Sequence, residues 1–286
     1  MALAVTIAAP AAATAKSAKH SKHSKVNYLA LGDSLAFGYQ QAKYNALLPA
    51  EPPTAYKTGY VDVFAASLAK AKKAKVATTN VGCPGETTDS LLGLAPCPYH
   101  PPFQLHVAYS GSQMDAALAS LSSKKRKPAA ITLDIGANDL LATVNKCNAD
   151  PTPYSTATLC ILGSAPATFA HVVQNETTIL GKLRSAAPKA PIVNIGVYNP
   201  LTPQLGPSSD VLARQLNAQL ATLSASFGAK FADPMPVFNP PGDTEIPTLC
   251  ALTAVCGPLK DIHPTDVGYK ALGKLVFQTA AIRRKK

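Results

Sequence analysis

Two stretches near opposite ends of the chain carry residue types that can act together in nucleophilic catalysis. The first, "LGDSLAFGY" at 31–39, offers the hydroxyl of Ser34 at the end of an apolar run. In the second, "KDIHPTDVGY" at 260–269, His263 stands just before a proline, and histidine is the usual base that activates a serine. A serine beside Gly and Asp is also ordinary turn and helix-cap chemistry. The choice between the two interpretations depends on what else the sequence supplies.

Two further stretches offer groups that can stabilise a negatively charged oxygen. In "NVGCPGETTDSLL" at 80–92, Gly85 has no side chain, so its N–H can point into a site. In "LDIGANDLL" at 133–141, the side-chain amide of Asn138 can donate to a developing oxyanion, whereas an Asp there would repel it. Each stretch taken singly is equally typical of a tight turn after a strand. They indicate a site only if the fold brings all four stretches together.

Predicted strands alternate with predicted helices along most of the chain. Short apolar runs indicate the strands, and apolar residues at helical spacing indicate the helices. This alternation predicts an α/β fold, a three-layer α/β/α sandwich with a central parallel sheet. Sites in such folds lie at the carboxyl ends of strands, where the stretches above fall. The strands are predicted at 26–31, 75–82, 129–136, 191–198 and 229–233, and the helices at 59–74, 113–123, 167–187, 209–227 and after Pro264.

The chain has 286 residues and 47% hydrophobic composition, which suffices for one large domain. Residues 1–15 are small and apolar and end in an Ala-x-Ala pattern, which predicts a secretory signal peptide or its remnant; a disordered alanine-rich tail is the alternative. Residues 16–25 predict a flexible Lys/His/Ser-rich linker, and residues 26–286 a single domain. After the signal, no segment reaches the roughly 18 apolar residues of a membrane span. We therefore expect a secreted, soluble protein.

The cysteines favour disulfides, because an even count, close spacing and an export signal occur together. Several connectivities are open, and pairing between sequence neighbours is the simplest. Metal binding is the weaker interpretation, because there is no Cys-x-x-Cys pair and the only close histidines, His20 and His23, lie in the linker. Proline-rich stretches at 96–102, 150–153 and 234–247 predict long loops. The neighbouring cysteine pairs are Cys83 with Cys97, Cys147 with Cys160, and Cys250 with Cys256.

The formal net charge is +11, with basic clusters at 70–75, 124–127 and 283–286. Such a charge predicts peripheral contact with anionic surfaces, either a membrane or acidic cell-wall polymers. Solubility alone is the alternative explanation. No nucleic-acid motif or aromatic-interleaved basic groove accompanies the clusters, so we do not expect nucleic acid as a partner.

At the four stretches the sequence resembles the SGNH or GDSL hydrolase superfamily. The Gly-Asp-Ser-Leu block is 32–35, the Gly-x-Asn-Asp block is 136–139 and the His-Pro block is 263–264, in the family's order. The resemblance covers nearly the whole chain after the linker and implies a flavodoxin-like SGNH hydrolase fold. The export signal, the cysteine pairs and the "GCPGETT" motif most resemble those of secreted actinobacterial esterases and lipases.

The resemblance implies a role for each stretch. Ser34 would be the nucleophile and His263 the general base. The Ser34 N–H, the Gly85 N–H and the Asn138 side chain would form the oxyanion hole. The implied reaction is hydrolysis of a small-molecule or lipid carboxyl ester through an acyl-serine intermediate, by a monomer that needs no metal or organic cofactor.

The sequence departs from the family pattern at the acid that orients the histidine. That acid usually stands three residues before the histidine, where this chain has Lys260, and Asp261 stands only two before. We expect Asp261 to reach His263 through a displaced turn, with a main-chain carbonyl in its place as the alternative. The other nearby carboxylates are predicted to cap turns or helices: Asp33, Asp139 and Asp266.

The substrate is open at this level. Stretches 99–109 and 246–256 are candidates to line an acyl-chain site, with simple loop packing as the alternative. A phospholipase, a polysaccharide O-acetyl esterase and an acyltransferase fit the same residues as an esterase or lipase does. A non-catalytic secreted binding protein on the same scaffold is the alternative from another class.

Overall fold

The computed structural model describes residues 24–48, 52–101, 103–122, 127–149 and 156–284, so the predicted signal peptide and nearly all of the predicted linker lie outside it. Within these ranges the strands are β1 (Lys25–Gly32), β2 (Lys75–Asn80), β3 (Pro128–Asp134), β4 (Ile192–Ile195) and β5 (Lys230–Ala232). The helices are α1 (Ser34–Phe37), α2 (Gln41–Leu47), α3 (Tyr60–Lys72), α4 (Thr88–Leu92), α5 (Gln113–Ser122), α6 (Ala137–Ala149), α7 (Ala157–Ala186), α8 (Thr202–Leu205), α9 (Asp210–Ser226), α10 (Met235–Phe238), α11 (Glu245–Leu252) and α12 (Asp266–Thr279). Two 3₁₀ helices span Pro53–Tyr56 and Pro207–Ser209.

The strands form one parallel sheet with the order β2-β1-β3-β4-β5. Because all strands run the same way, their carboxyl ends lie at one edge of the sheet and their amino ends at the other. Helices return the chain from the first edge to the second between successive strands. The predicted α/β sandwich around a parallel sheet is therefore confirmed.

Both faces of the sheet are covered by helices. Alternate residues of β1 face opposite sides, so Tyr28 and Ala30 pack with α3 and α12, while Leu29 and Leu31 pack with α5 and α7. Helix α9 packs beside α7 in a third apolar cluster. Strands that are buried on both faces consist of continuous apolar runs. This burial explains why the central strands could be located in the sequence.

The helix α7 begins at Ala157 and not at the predicted residue 167. The Thr156 hydroxyl caps its first turn by accepting the Leu159 N–H. By length and composition this helix is able to cross a membrane, which the sequence analysis did not expect. Mostly buried core helices of globular proteins pass the same test, but only 17% of the apolar window in α7 is buried. Ile179 and Leu183 of α7 are nevertheless fully buried against the sheet.

The stretch 234–247 is not the long loop that its prolines predict. It contains α10 and the start of α11. Proline is tolerated in the first turn of a helix because an N–H there has no intrahelical partner. The stretch 96–102 has no helix or strand among its described residues, and 150–153 lies outside the described residues.

All six cysteines are joined in disulfides between sequence neighbours. Cys83–Cys97 ties the turn after β2 to the loop that follows α4. Cys147–Cys160 joins the end of α6 to the start of α7, and Cys250–Cys256 joins α11 to the turn after it. Cys83–Cys97 therefore fastens the turn that follows the carboxyl end of β2.

Candidate active site

Ser34 is the first residue of α1, directly after the carboxyl end of β1. The Asp33 side chain caps this short helix by accepting the Leu35 N–H at 2.9 Å. Gly32 has a φ of +145°, and a Cβ there would overlap with Asp134. The turn therefore needs glycine at this position. It holds the Ser34 hydroxyl at the edge of the sheet.

Ser34, His263 and Asp261 form a chain of hydrogen bonds. His263 Nε2 lies 2.9 Å from Ser34 Oγ, and His263 Nδ1 lies 2.5 Å from Asp261 Oδ1. The side chains of His263 and Asp261 are only 16% and 6% exposed, so water competes little for these bonds. A serine bonded to a histidine that a carboxylate orients is the arrangement that activates a hydroxyl for attack. The geometry allows the Ser34 proton to pass to His263.

Asp261 reaches the histidine although it stands only two residues before it. Lys260 has a φ of +50°, in the left-handed region, so the chain turns sharply before Asp261. The Asp261 carboxylate also accepts the main-chain N–H of Gln41 at 2.8 Å and of His263 at 3.2 Å. Burial raises the pKa of Asp261, but its bonds to His263 and Gln41 outweigh burial and leave that pKa below its usual value. The carboxylate is therefore ionised at neutral pH.

Helix α11 and the residues after it support the histidine turn from behind. The Ala254 N–H donates to the His263 carbonyl at 3.0 Å, and Thr253 pairs with Pro264 in an antiparallel bridge. None of the residues 246–256 lines the cleft at Ser34. The expectation that this stretch lines an acyl site is wrong, because its residues pack against the histidine turn instead.

Gly85 lies in the turn after β2, and the structure requires glycine there. Its φ is +75°, and a Cβ would come within 2.4 Å of the Tyr99 ring. The Cys83–Cys97 disulfide fastens this turn to the loop that carries Tyr99. Within the described part of the chain, neither the Gly85 N–H nor the Ser34 N–H donates a hydrogen bond, and both residues line one cleft. Two backbone donors are therefore available to a ligand in that cleft.

Asn138 is the second residue of α6 and lines the same cleft. Its side-chain N–H group donates to the Glu86 carbonyl at 2.9 Å and reaches Asp33 Oδ2 at 3.3 Å. The first contact holds the amide in place beside the turn that carries Gly85. The second is long for a hydrogen bond, so a substrate oxygen can replace Asp33 as its acceptor.

Asp139 joins the two turns that carry Gly85 and Asn138. Its carboxylate accepts the Thr88 N–H at 3.1 Å and the Thr88 hydroxyl at 2.7 Å. The sequence predicts local capping for Asp139, whereas the structure shows a bond between α6 and α4. This bond fixes the distance between the candidate oxyanion donors.

Asp134, the last residue of β3, is a buried carboxyl group next to Ser34 that the sequence analysis did not single out. It accepts the Tyr60 hydroxyl at 2.7 Å and the Ala36 N–H at 3.2 Å. Burial, followed by the neighbouring charge of Asp33, raises the pKa of Asp134 well above its usual value. A carboxylate at the end of a continuous apolar strand was the available signal in the sequence.

Glu86 is a second buried carboxyl group, on the turn after β2. Gln113 donates to Glu86 Oε2 at 2.8 Å and binds both the N–H and the carbonyl of Gly32. Burial raises the pKa of Glu86 to about 7. Together with Cys83 and Cys97 this carboxyl group is close enough to share a metal ion, but both sulfurs are in a disulfide and offer no thiolate ligand.

A cleft of about 690 Å³ opens at Ser34 and His263, within the size range of small-molecule sites. The stretch 99–109 contributes Tyr99 and Phe103 to it, as the sequence analysis expected. One wall is aromatic and is completed by Tyr39 and Tyr44. A second group of lining residues is aliphatic and consists of Leu140, Leu141, Val144, Ile161, Ala165, Val197, Leu201, Leu205 and Leu212. The cleft therefore places an apolar surface beside the reactive groups.

Comparison with known proteins identifies the family. The sequence profile of the GDSL-like lipase/acylhydrolase family matches residues 30–271, a range that holds Ser34, Gly85, Asn138 and His263. The chain belongs to that family. The resemblance drawn from the four stretches is thereby confirmed, and membership among the GDSL-like hydrolases supports a function in ester hydrolysis.

Solved structures with this GDSL hydrolase fold include proteins of different substrate classes. An extracellular lipase from Streptomyces rimosus aligns with a TM-score of 0.55 at 19% identity, over 89% of this chain and 99% of the lipase. A phospholipase A1 from Streptomyces albidoflavus aligns at 0.53 and 18%, over 88% and 98%. An acetyl xylan esterase variant from Geobacillus stearothermophilus aligns at 0.53 and 14%, over 92% and 98%. A search of curated proteins finds no match. At these identities the likeness shows the shared fold.

Proposed function

We propose that this GDSL-like hydrolase is a secreted esterase or lipase that cleaves carboxyl esters through an acyl-serine intermediate. The observation that carries the proposal is the hydrogen-bonded chain of Asp261, His263 and Ser34, of which His263 and Ser34 line an apolar cleft. The proposed steps use only side chains and backbone groups of this chain.

Acylation begins when Ser34 Oγ attacks the ester carbonyl carbon and His263 Nε2 takes the hydroxyl proton. The ionised Asp261 stabilises the imidazolium that forms and keeps its ring in position. As the tetrahedral intermediate collapses, the bond to the alkoxy oxygen breaks. His263 returns the proton to that oxygen, and an alcohol leaves.

Three donors are placed to stabilise the oxyanion of the tetrahedral intermediate. They are the free N–H groups of Ser34 and Gly85 and the amide of Asn138. The Ser34 N–H also lies at the start of α1, where the partial positive charge of the helix end favours an anion. Water then attacks the acyl-serine with His263 as base, and the carboxylic acid is released.

The cleft supports apolar acyl groups as substrates in preference to acetyl groups on a sugar. Burial of each methylene contributes about 0.8 kcal/mol, which corresponds to roughly fourfold in kcat/KM while the chain stays inside the cleft. One of the leucines that line the cleft, Leu205, is 49% exposed. An acetyl group would leave most of this apolar surface unused.

The disulfides support export of the protein. Structural disulfides persist in oxidising compartments and are rare in the reducing cytosol. Three disulfides with no free cysteine therefore agree with the signal peptide that residues 1–15 predict. Detection of the mature protein in culture medium, cleaved after the Ala-x-Ala pattern, tests this part of the proposal.

The substrate proposal is tested by hydrolysis of p-nitrophenyl esters from acetate to palmitate. We expect kcat/KM to rise with chain length up to a plateau. Ala165→Phe narrows the aliphatic part of the cleft and should lower activity toward long chains while leaving acetate turnover intact. Ala170→Phe, at an exposed position on the same helix, is the matched control. Highest activity on acetate would contradict the acyl-chain assignment, and turnover of no ester would favour a binding protein.

A further inference from the structure

A lysine stands at the amino end of every strand in the sheet. Lys25 and Lys75 are the first residues of β1 and β2 and lie opposite each other in register. Lys230 is the first residue of β5, Lys127 directly precedes β3, and Lys189 precedes β4. All five are exposed. The register places Lys230 level with Ala30, far along β1 from Lys25, so it lies apart from the others. We call the other four the amino-edge lysines.

The strand order places the amino-edge lysines in a row. Along the sheet their order is Lys75, Lys25, Lys127 and Lys189. Neighbouring strands are about 4.8 Å apart, so the row extends over roughly 14 Å. Cations that follow one another in a row are suited to a ligand whose negative charges also repeat along a line.

A second group of cations lies at the same edge. Helix α3 carries Lys70 and Lys72 in its last turn and ends just before β2. Lys72 Nζ donates to the Arg283 carbonyl at 3.1 Å, which brings the end of the chain to this edge. Lys73 and Arg283 are exposed there. The amino edge therefore combines a row of lysines with an adjoining basic cluster.

These cations lack acidic partners within the described part of the chain. None of the amino-edge lysines takes part in an ion pair there. The sequence shows the same pattern, because the five residues before each of them contain no Asp or Glu. Their charges are therefore uncompensated and available to an anionic ligand.

We propose that the amino edge of the sheet binds a linear polyanion, a polymer with repeating phosphate or carboxylate groups. A membrane surface fits this edge less well. The exposed Leu205 of the ester cleft and the exposed Leu159 in the first turn of α7 lie toward the opposite edge, so a bilayer bound at the lysines would face away from them. A protein held on a polymer by its amino edge presents the cleft to solution.

The proposal is tested by fluorescence anisotropy with labelled polyphosphate and labelled polygalacturonate. The variant K25E/K75E/K189E reverses three charges of the row. Each lysine near an anionic surface contributes roughly fivefold in affinity, so we expect the variant to bind at least about 100-fold more weakly. In a plot of the logarithm of the binding constant against the logarithm of the salt concentration, the slope should be shallower for the variant by about 2 to 3. The matched control K57E/K146E/K270E has the same net charge as the row variant, but its substitutions are at exposed positions away from the row. It should lose far less affinity for the polymers.

The polymer that binds more tightly identifies the preferred anion, and either preference supports the proposal. Equal weakening of both triple variants would overturn it, because total charge alone would then explain binding. It would also be overturned if the row variant unfolded at lower temperature and bound the polymers normally. The lysines would then act only by stabilising the carboxyl ends of the helices that finish at this edge. Tighter, row-dependent binding to phosphatidylglycerol vesicles or to single-stranded DNA would assign the edge to a different partner. Thermal unfolding checks the fold independently of ester hydrolysis.

Discussion

At the carboxyl edge of the sheet, carboxyl groups and apolar side chains surround Ser34. At the amino edge, exposed lysines stand without acidic partners among the residues that the structure describes. The direction of the chain contributes to this separation. Helices such as α3, α7 and α9 finish at the amino edge, where their partial negative ends favour cations. Helices α1 and α6 begin at the carboxyl edge, where their partial positive ends favour anions. One topology therefore supports two kinds of site.

The two edges differ in how their charges are held. At the carboxyl edge the carboxyl groups around Ser34 are buried and bonded to particular atoms, as Asp261 is to His263 and to the Gln41 N–H. At the amino edge the charges are exposed and act together through the field that they create. Single substitutions should therefore have large effects at the first edge and small, additive effects at the second.

After loss of the nucleophile itself, the largest effect at the carboxyl edge is expected for Asp261→Asn. An asparagine cannot stabilise the imidazolium and favours the wrong histidine tautomer, so kcat should fall about 10⁴-fold. Steady-state hydrolysis of a p-nitrophenyl ester measures the change. Asp266→Asn, at an exposed carboxylate paired with Lys43, is the matched control. A loss of less than about tenfold for Asp261→Asn would show that the main chain, and not this carboxylate, orients the histidine.

Asn138→Ala should produce the next largest effect. Removal of one oxyanion donor typically lowers kcat by about 10² to 10³-fold, with little change in KM because the bond strengthens in the transition state. The exposed Asn148 on the same helix supplies the control, Asn148→Ala. Unchanged kcat in the Asn138 variant would remove this residue from the proposed oxyanion hole.

Glu86→Gln should change the pH dependence of stability. Burial raises the pKa of Glu86 from 4.5 to about 7, so the folded protein binds this proton more tightly than the unfolded chain does. Unfolding then releases a proton between those values, and the free energy of unfolding falls as pH rises through that window, by at most about 3 kcal/mol from this group. Urea unfolding between pH 4.5 and pH 8 should show a flatter profile for the variant. As a control, Asp243→Asn at an exposed position should leave the dependence of the free energy of unfolding on pH unaltered. If Glu86→Gln and the parent protein showed the same dependence, a buried, protonated Glu86 would be contradicted.

The sequence was informative wherever a chemical group follows a buried strand. Ser34, Gly85 and Asn138 come after apolar runs that could be located, and the rule that parallel strands share one carboxyl edge brings them together. His263 was found through its position before a proline and a helix. The disulfide pairs were the simplest choice, and the structure has them. Residues in or next to regular elements were thus located from local pattern, and their roles followed from the resemblance to the family.

The sequence was less informative about irregular backbone. Nothing in the residue types shows that Lys260 adopts a left-handed conformation, yet that turn brings Asp261 to His263. The start of α7 was missed because Pro166 interrupts the helical pattern and a proline-rich stretch precedes Thr156. Prolines in the first turns of α10 and α11 look the same in sequence as prolines in a loop. Long-range bonds such as that between Gln113 and Gly32 have no local signal.

The central claim is that Ser34 is the nucleophile, and covalent labelling tests it most directly. The protein is incubated with a p-nitrophenyl alkylphosphonate, and its mass and labelled peptide are determined by mass spectrometry. We predict one adduct on Ser34, much slower labelling of His263→Ala, and a loss of ester hydrolysis on the order of 10⁶-fold in Ser34→Ala. Both variants should unfold at the temperature of the parent protein. An adduct on another residue, or ester hydrolysis by folded Ser34→Ala at the parent rate, would contradict the assignment.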